Sequence, residues 1–95
     1  MPNQTLDQSI LEALMEFFEL KEIEIDEPPV HLIEAIKEDL EPVIEQYKAG
    51  LIDYKVVGEA IWGTSDFVLR DMTGEEKEQY ATLMYGAIGT HGHLE

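Results

Sequence analysis

Between Val30 and Lys48, apolar and acidic residues separate onto two phases of one helical period, and this constrains the fold more than any other feature of the chain. Ile33, Ile36, Leu40, Val43, Ile44 and Tyr47 hold one phase, while Glu34, Glu38, Glu41 and Glu45 hold the other. Spacings of three and four residues stack side chains on one face of an α-helix, whereas on a strand both sets would be scattered over two faces. Pro42 stands inside the segment, yet the phase continues across it, so the pattern predicts one kinked helix beginning near Val30. Pro28-Pro29 set its start, and Gly50 suits a left-handed turn at its end.

The same punctuation organises the rest of the chain. Thr5-Leu6-Asp7-Gln8 reads as a capping box that opens a helix at Leu6, with Leu6, Ile10, Leu14, Phe17 and Phe18 inward and Glu12, Glu16 and Glu19 in a row of their own. Lys21 to Asp26 alternates polar and apolar residues but has no partner strand, so it reads as a frayed helix end or a linker. Asp53 can cap a third helix fastened by Ile52 against Val57, which Gly63 is expected to close. Thr64-Ser65-Asp66 is then expected to cap a short fourth helix carrying Phe67, Val68 and Leu69. Thr73-Gly74-Glu75-Glu76 is a second capping box, and Tyr80, Leu83, Met84, Ala87 and Ile88 form the inward stripe of a final helix weakened by Gly86 and Gly89.

A chain of 95 residues supports one modest core, since two would each be too small to offset the entropy of folding. The expected fold is all-α, a small irregular bundle of four to five helices. Residues 1–90 form the single domain and 91–95 a flexible tail, whose Leu94-Glu95 has the form of a cloning scar.

Charge narrows the partners. The net charge is −15, and it is lopsided: residues 1–45 carry thirteen acidic residues against Lys21 and Lys37, a balance of −11, and residues 46–95 a balance of −4. Direct binding of nucleic acid or of an anionic membrane is not expected, because phosphates would meet a repelling field. Hydrophobic residues make up 44% of the chain and are periodic, which separates it from an acidic disordered tail. No apolar run reaches the length of a membrane span, the first residues do not resemble a cleaved signal, and there is no cysteine. The expected location is the cytoplasm.

Each candidate for chemistry has a plainer explanation. The pairs Glu16 with Glu19 and Glu38 with Glu41 resemble the magnesium-binding carboxylates of all-α nucleotide pyrophosphatases. They lie opposite the apolar stripes, however, and no Glu-x-x-Asp completes that family's pattern. There is no EF-hand loop, and His91-x-His93 offers a zinc ion two nitrogens without two further rigid ligands. Ser9 and Ser65 stand where a helix residue and a cap belong, His31 follows the double proline as an ordinary exposed histidine, and the glycines form no phosphate-binding loop. No enzyme activity, cofactor or metal is expected.

What remains is recognition of another protein. Concentrated negative charge costs stability through self-repulsion and favours fast, steered association with a basic surface. Small acidic immunity proteins that block basic nucleases work on this logic, an analogy that rests on charge alone. The sequence therefore points to a module that binds a basic protein partner, in its most specific form an inhibitor or immunity-type protein of a nucleic-acid-binding enzyme. Its candidate contacts are Glu34, Glu38, Glu41, Glu45 and the lone tryptophan, Trp62. The alternative is a structural or regulatory helical protein that acts as a homodimer through uncovered apolar surface.

Overall fold

Two capping boxes form as their sequences specify. In the computed structural model, which describes residues 5–94, the Thr5 hydroxyl accepts from the Gln8 amide at 3.2 Å and the Gln8 side chain accepts from the Thr5 amide at 3.1 Å. Thr73 and Glu76 make the same reciprocal pair at 3.1 Å each. These boxes open α1 (Leu6–Leu20) and α4 (Gly74–Thr90). Between them lie α2 (Val30–Lys48), which runs unbroken through Pro42, and α3 (Tyr54–Val68), capped by the Asp53 carboxylate on the Val56 amide at 3.3 Å. The described residues contain no strand.

Gly63 does not end α3, and the expected short helix at Phe67–Leu69 does not exist separately. The hydroxyls of Thr64 and Ser65 donate to the carbonyls of Ile61 and Trp62, each at 2.6 Å, so they satisfy themselves within the helix instead of capping a new one. Both residues are fully buried, and the packing that buries them outweighs the helix-weakening glycine beside them. The described residues therefore form four helices.

Three helix ends share one closing device. After α2, Gly50 takes φ +79, its amide bonds Tyr47 O at 3.0 Å, and the Leu51 amide bonds Gln46 O at 2.9 Å, the paired bonds of a Schellman turn. Gly92 does the same after α4, with the His93 amide on Ile88 O at 3.0 Å. After α1 the left-handed position is held by Glu22 at φ 57, with the Ile23 amide on Phe18 O at 2.9 Å. A non-glycine residue there costs about 1 kcal/mol, a cost set against satisfying the last carbonyls. The alternating Lys21–Asp26 segment thus begins as a helix-closing turn and continues as a linker, with Ile25 packed on the core.

The Gly92 turn directs residues 91–94, which the sequence suggests are a loose tail, back over α1. His93 Nε2 lies 2.9 Å from the Ser9 hydroxyl, His91 Nε2 lies 2.9 Å from Glu12 Oε2, and Leu94 packs on the core. Burial, and after it the neighbouring charges of His91 and Lys48, hold the His93 imidazole below its usual pKa, so the neutral ring is the one the fold favours.

The core is drawn from all four helices. Ile10, Leu14 and Phe17 of α1, Ile36 and Leu40 of α2, Val57 and Ile61 of α3, and Tyr80, Met84 and Ile88 of α4 are each wholly removed from solvent. Leu83, expected inward, is half-buried at the edge. Each helix packs on its neighbours in the chain and α4 returns to pack on α1, so the four form one compact globule. No described helix is long and apolar enough to cross a membrane.

Candidate functional site

The four glutamates predicted to face outward on α2 do so. Glu34, Glu38, Glu41 and Glu45 are all exposed, because Ile33, Ile36, Leu40 and Ile44 occupy the buried phase of the same helix. Among the described residues none of the four makes an ion pair. The lysine among them, Lys37, reaches across to α1 instead, 2.9 Å from Asp7 Oδ1. That hydrogen bond, the Asp7 charge, and the nearby Glu41 and Glu34 raise the Lys37 pKa, so it stays charged. The row is thus anchored to α1 at one point, and its own carboxylates remain available.

Elsewhere, Lys21 pairs with Glu76 and Lys77 with Asp66, both at 3.5 Å and near the surface. Such pairs contribute little, about 0–1 kcal/mol each, and leave most carboxylates uncompensated. A thermal denaturation series should show the consequence. Moving from low salt to about 0.15 M screens repulsion beyond about 8 Å, and relief of about 1 kcal/mol would raise the midpoint by about 4–8 °C. A midpoint that stays level or falls with salt would show the charges to be internally balanced.

Trp62 does not belong with the glutamate row. It projects from the middle of α3, 41% exposed, into a cleft of about 440 Å³ between α3 and α4. The cleft is lined by Tyr54, Gly58, Ala81 and Tyr85, with Glu59, Glu78 and one cation, Lys55, at its exposed rim; none of the four α2 glutamates lines it. The Tyr54 and Tyr85 rings stack at 5.2 Å with 23° between their planes, and Tyr47 meets Tyr54 edge-on at 5.8 Å. Gly58 makes this possible, since a methyl group at that position would overlap the Tyr85 hydroxyl. Burial, and then the neighbouring Tyr54 phenol, push the Tyr85 pKa up.

The sequence singles out Tyr47, Tyr54 and Tyr85 with Trp62, the tyrosines mostly as core; that Tyr54 and Tyr85 stack over a glycine seat is not legible in it directly, although a signal exists. Tyr54, Gly58 and Trp62 fall at i, i+4 and i+8 of α3, and Ala81 and Tyr85 at i and i+4 of α4. Small residues in register with aromatics on two helices mark a close approach with exposed rings. Which two helices meet there cannot be read from spacing.

No three His, Asp or Glu side chains among the described residues converge as metal ligands, and His91 and His93 are directed to separate partners on α1. Ser65 and Thr64 hydroxyls are committed inside the helix. Comparison with known proteins finds no matching family model, no matching curated protein and no matching solved structure.

Proposed function

We propose that this protein is a non-enzymatic interaction module, built as an irregular helical bundle, that recognises a basic protein surface in the cytoplasm. The observation that carries this reading is the row of four exposed glutamates on α2, free of ion pairs among the described residues, on a chain of net charge −15. Such a surface raises the local concentration of a cationic partner and speeds productive encounter, while repelling nucleic acids and copies of itself. A basic nucleic-acid-binding enzyme fits this chemistry, because its own anion-binding site is what the carboxylates would cover.

Stopped-flow association with a basic nuclease tests the idea. Replacing Glu34, Glu38, Glu41 and Glu45 together with glutamine should slow association roughly tenfold at low ionic strength, and the difference should shrink as salt rises. A rate indifferent to both the substitutions and the salt would sink the electrostatic reading. Glutamine keeps the length and helical preference of each side chain, so folding is not at stake.

A further inference from the structure

The α3–α4 cleft combines features that a merely solvated surface does not need. Large side chains are left open to water, with Tyr54 at 48% and Trp62 at 41% exposure, where a small domain would ordinarily bury them. Gly58 seats the Tyr85 hydroxyl against α3, so the Tyr54–Tyr85 stack and Trp62 line one cleft. The cleft also has direction. Its α4 wall runs Glu78, Ala81, Thr82, Tyr85 and its α3 wall Tyr54, Gly58, Trp62, so each side spans two helical turns and the trough lies between two helices.

From this we infer that the α3–α4 cleft is the seat of a basic amphipathic helix of the partner, with apolar side chains against Tyr54, Trp62 and Tyr85 and cationic side chains on Glu59 and Glu78. The inference rests on the basic-partner reading above and says where and in what form that partner docks. A groove between two helices is filled most completely by a third helix, whose side chains at i, i+3, i+4 and i+7 match two turns of wall. Arginine suits the rim in particular, since it can pair with a carboxylate while its guanidinium lies on an aromatic face. A second copy of this chain is the wrong occupant. It would bring another −15 against the same field.

Trp62 is the only tryptophan, so its emission reports on this cleft alone. The probe is a synthetic peptide of about five helical turns, free of aromatic residues, with leucine at i, i+3, i+4 and i+7 and arginine elsewhere. A scrambled peptide of the same composition that cannot form an apolar stripe serves as control. Titrations at about 0.15 M salt are followed both by Trp62 emission and by calorimetry. Three proteins are compared: the unmodified chain, the rim variant Glu59→Arg with Glu78→Arg, and the α2 variant with glutamine at Glu34, Glu38, Glu41 and Glu45.

The expected result is saturable binding of the striped peptide with a blue shift of Trp62, and markedly weaker binding of the scrambled one. The rim variant should lose at least about tenfold in affinity and the α2 variant less than the rim variant, since at this salt the field of a row outside the cleft is largely screened. If striped and scrambled peptides bind alike, if emission does not move on binding, or if the α2 variant loses binding that the rim variant keeps, the cleft is not the seat. The broader basic-partner reading would survive that result. If neither peptide nor a basic nuclease binds any of the three proteins, both readings fall. The peptide comparison uses the unmodified protein and so is independent of how any variant folds.

Discussion

Replacing Phe17 with alanine will lower unfolding stability by about 3–5 kcal/mol, most of what a domain of this size has in reserve. The Phe17 ring has no solvent exposure, meets Tyr80 of α4 edge-on at 5.7 Å and 82°, and lies 6.2 Å from Phe18. The Lys21 ammonium sits 5.8 Å from its centre, on the way to Glu76 of α4. Truncation removes the transfer energy of a full aromatic side chain and opens a cavity where α1 meets α4. Walls made of helices cannot collapse freely into such a cavity. Urea denaturation measures the change, with an unaltered slope showing that the comparison is two-state. Phe17→Leu, which refills part of the volume, should recover most of the loss. A cost below about 1 kcal/mol for the alanine change would mean that the core relaxes around the void and that the α1–α4 contact is looser than the ring geometry implies.

The second large effect comes from one buried pair of hydroxyls. Thr64 Oγ1 lies 2.6 Å from Ile61 O and 2.7 Å from the Tyr80 hydroxyl. A threonine has one hydroxyl hydrogen, and the carbonyl can only accept, so Thr64 donates to Ile61 and Tyr80 donates to Thr64. The two partners are therefore not equivalent. Thr64→Val keeps shape and β-branching but strands a buried phenolic donor, at a cost of about 1–3 kcal/mol. Tyr80→Phe leaves Thr64 with its own donor still satisfied and should cost about 1 kcal/mol or less. Equal costs, or the reverse order, would show the proton arrangement to be different.

The same pair imposes an alkaline limit. Burial pushes the Tyr80 pKa up to about 12. An unfolded tyrosine loses its proton near pH 10 while the folded one keeps it, so the folded state binds more protons in that window and stability falls as pH rises through it. The stabilisation is whole below pH 10, and between pH 10 and about 12 it declines by about 3 kcal/mol. Tyr80→Phe should remove most of this slope, leaving the smaller shares of Tyr85 and Lys37, so that above pH 11 the substituted protein is the more stable of the two. If the slope is the same in both proteins, some other group governs the alkaline limit.

Much of this molecule could be read along the chain because the relevant forces are local. Capping boxes at Thr5 and Thr73, the Asp53 cap, the left-handed Gly50 and the opposed stripes of α2 each depend on residues within a turn or two of one another. Gly63 and Thr64-Ser65 misled for the complementary reason. Their local signals favour a helix end, and the decision was made by residues far along the chain, above all Tyr80, which rewards burial of Thr64 in an uninterrupted helix. The left-handed turn at Glu22 likewise carries no glycine to announce it.

The amino-acid sequence by itself determined that the chain is helical, where three of its four helices begin and end to within a residue or two, and that the α2 glutamates face away from the core. Only the tertiary structure decided that α3 continues to Val68, that Gly92 turns residues 91–94 onto α1, and that Trp62 shares a cleft with Tyr54 and Tyr85 and not with the glutamate row. The physical division is one of range. Periodicity and capping are paid out within a single helix, whereas a cleft, a core hydrogen bond or a docked terminus exists only once separate helices have chosen which faces to bury against each other.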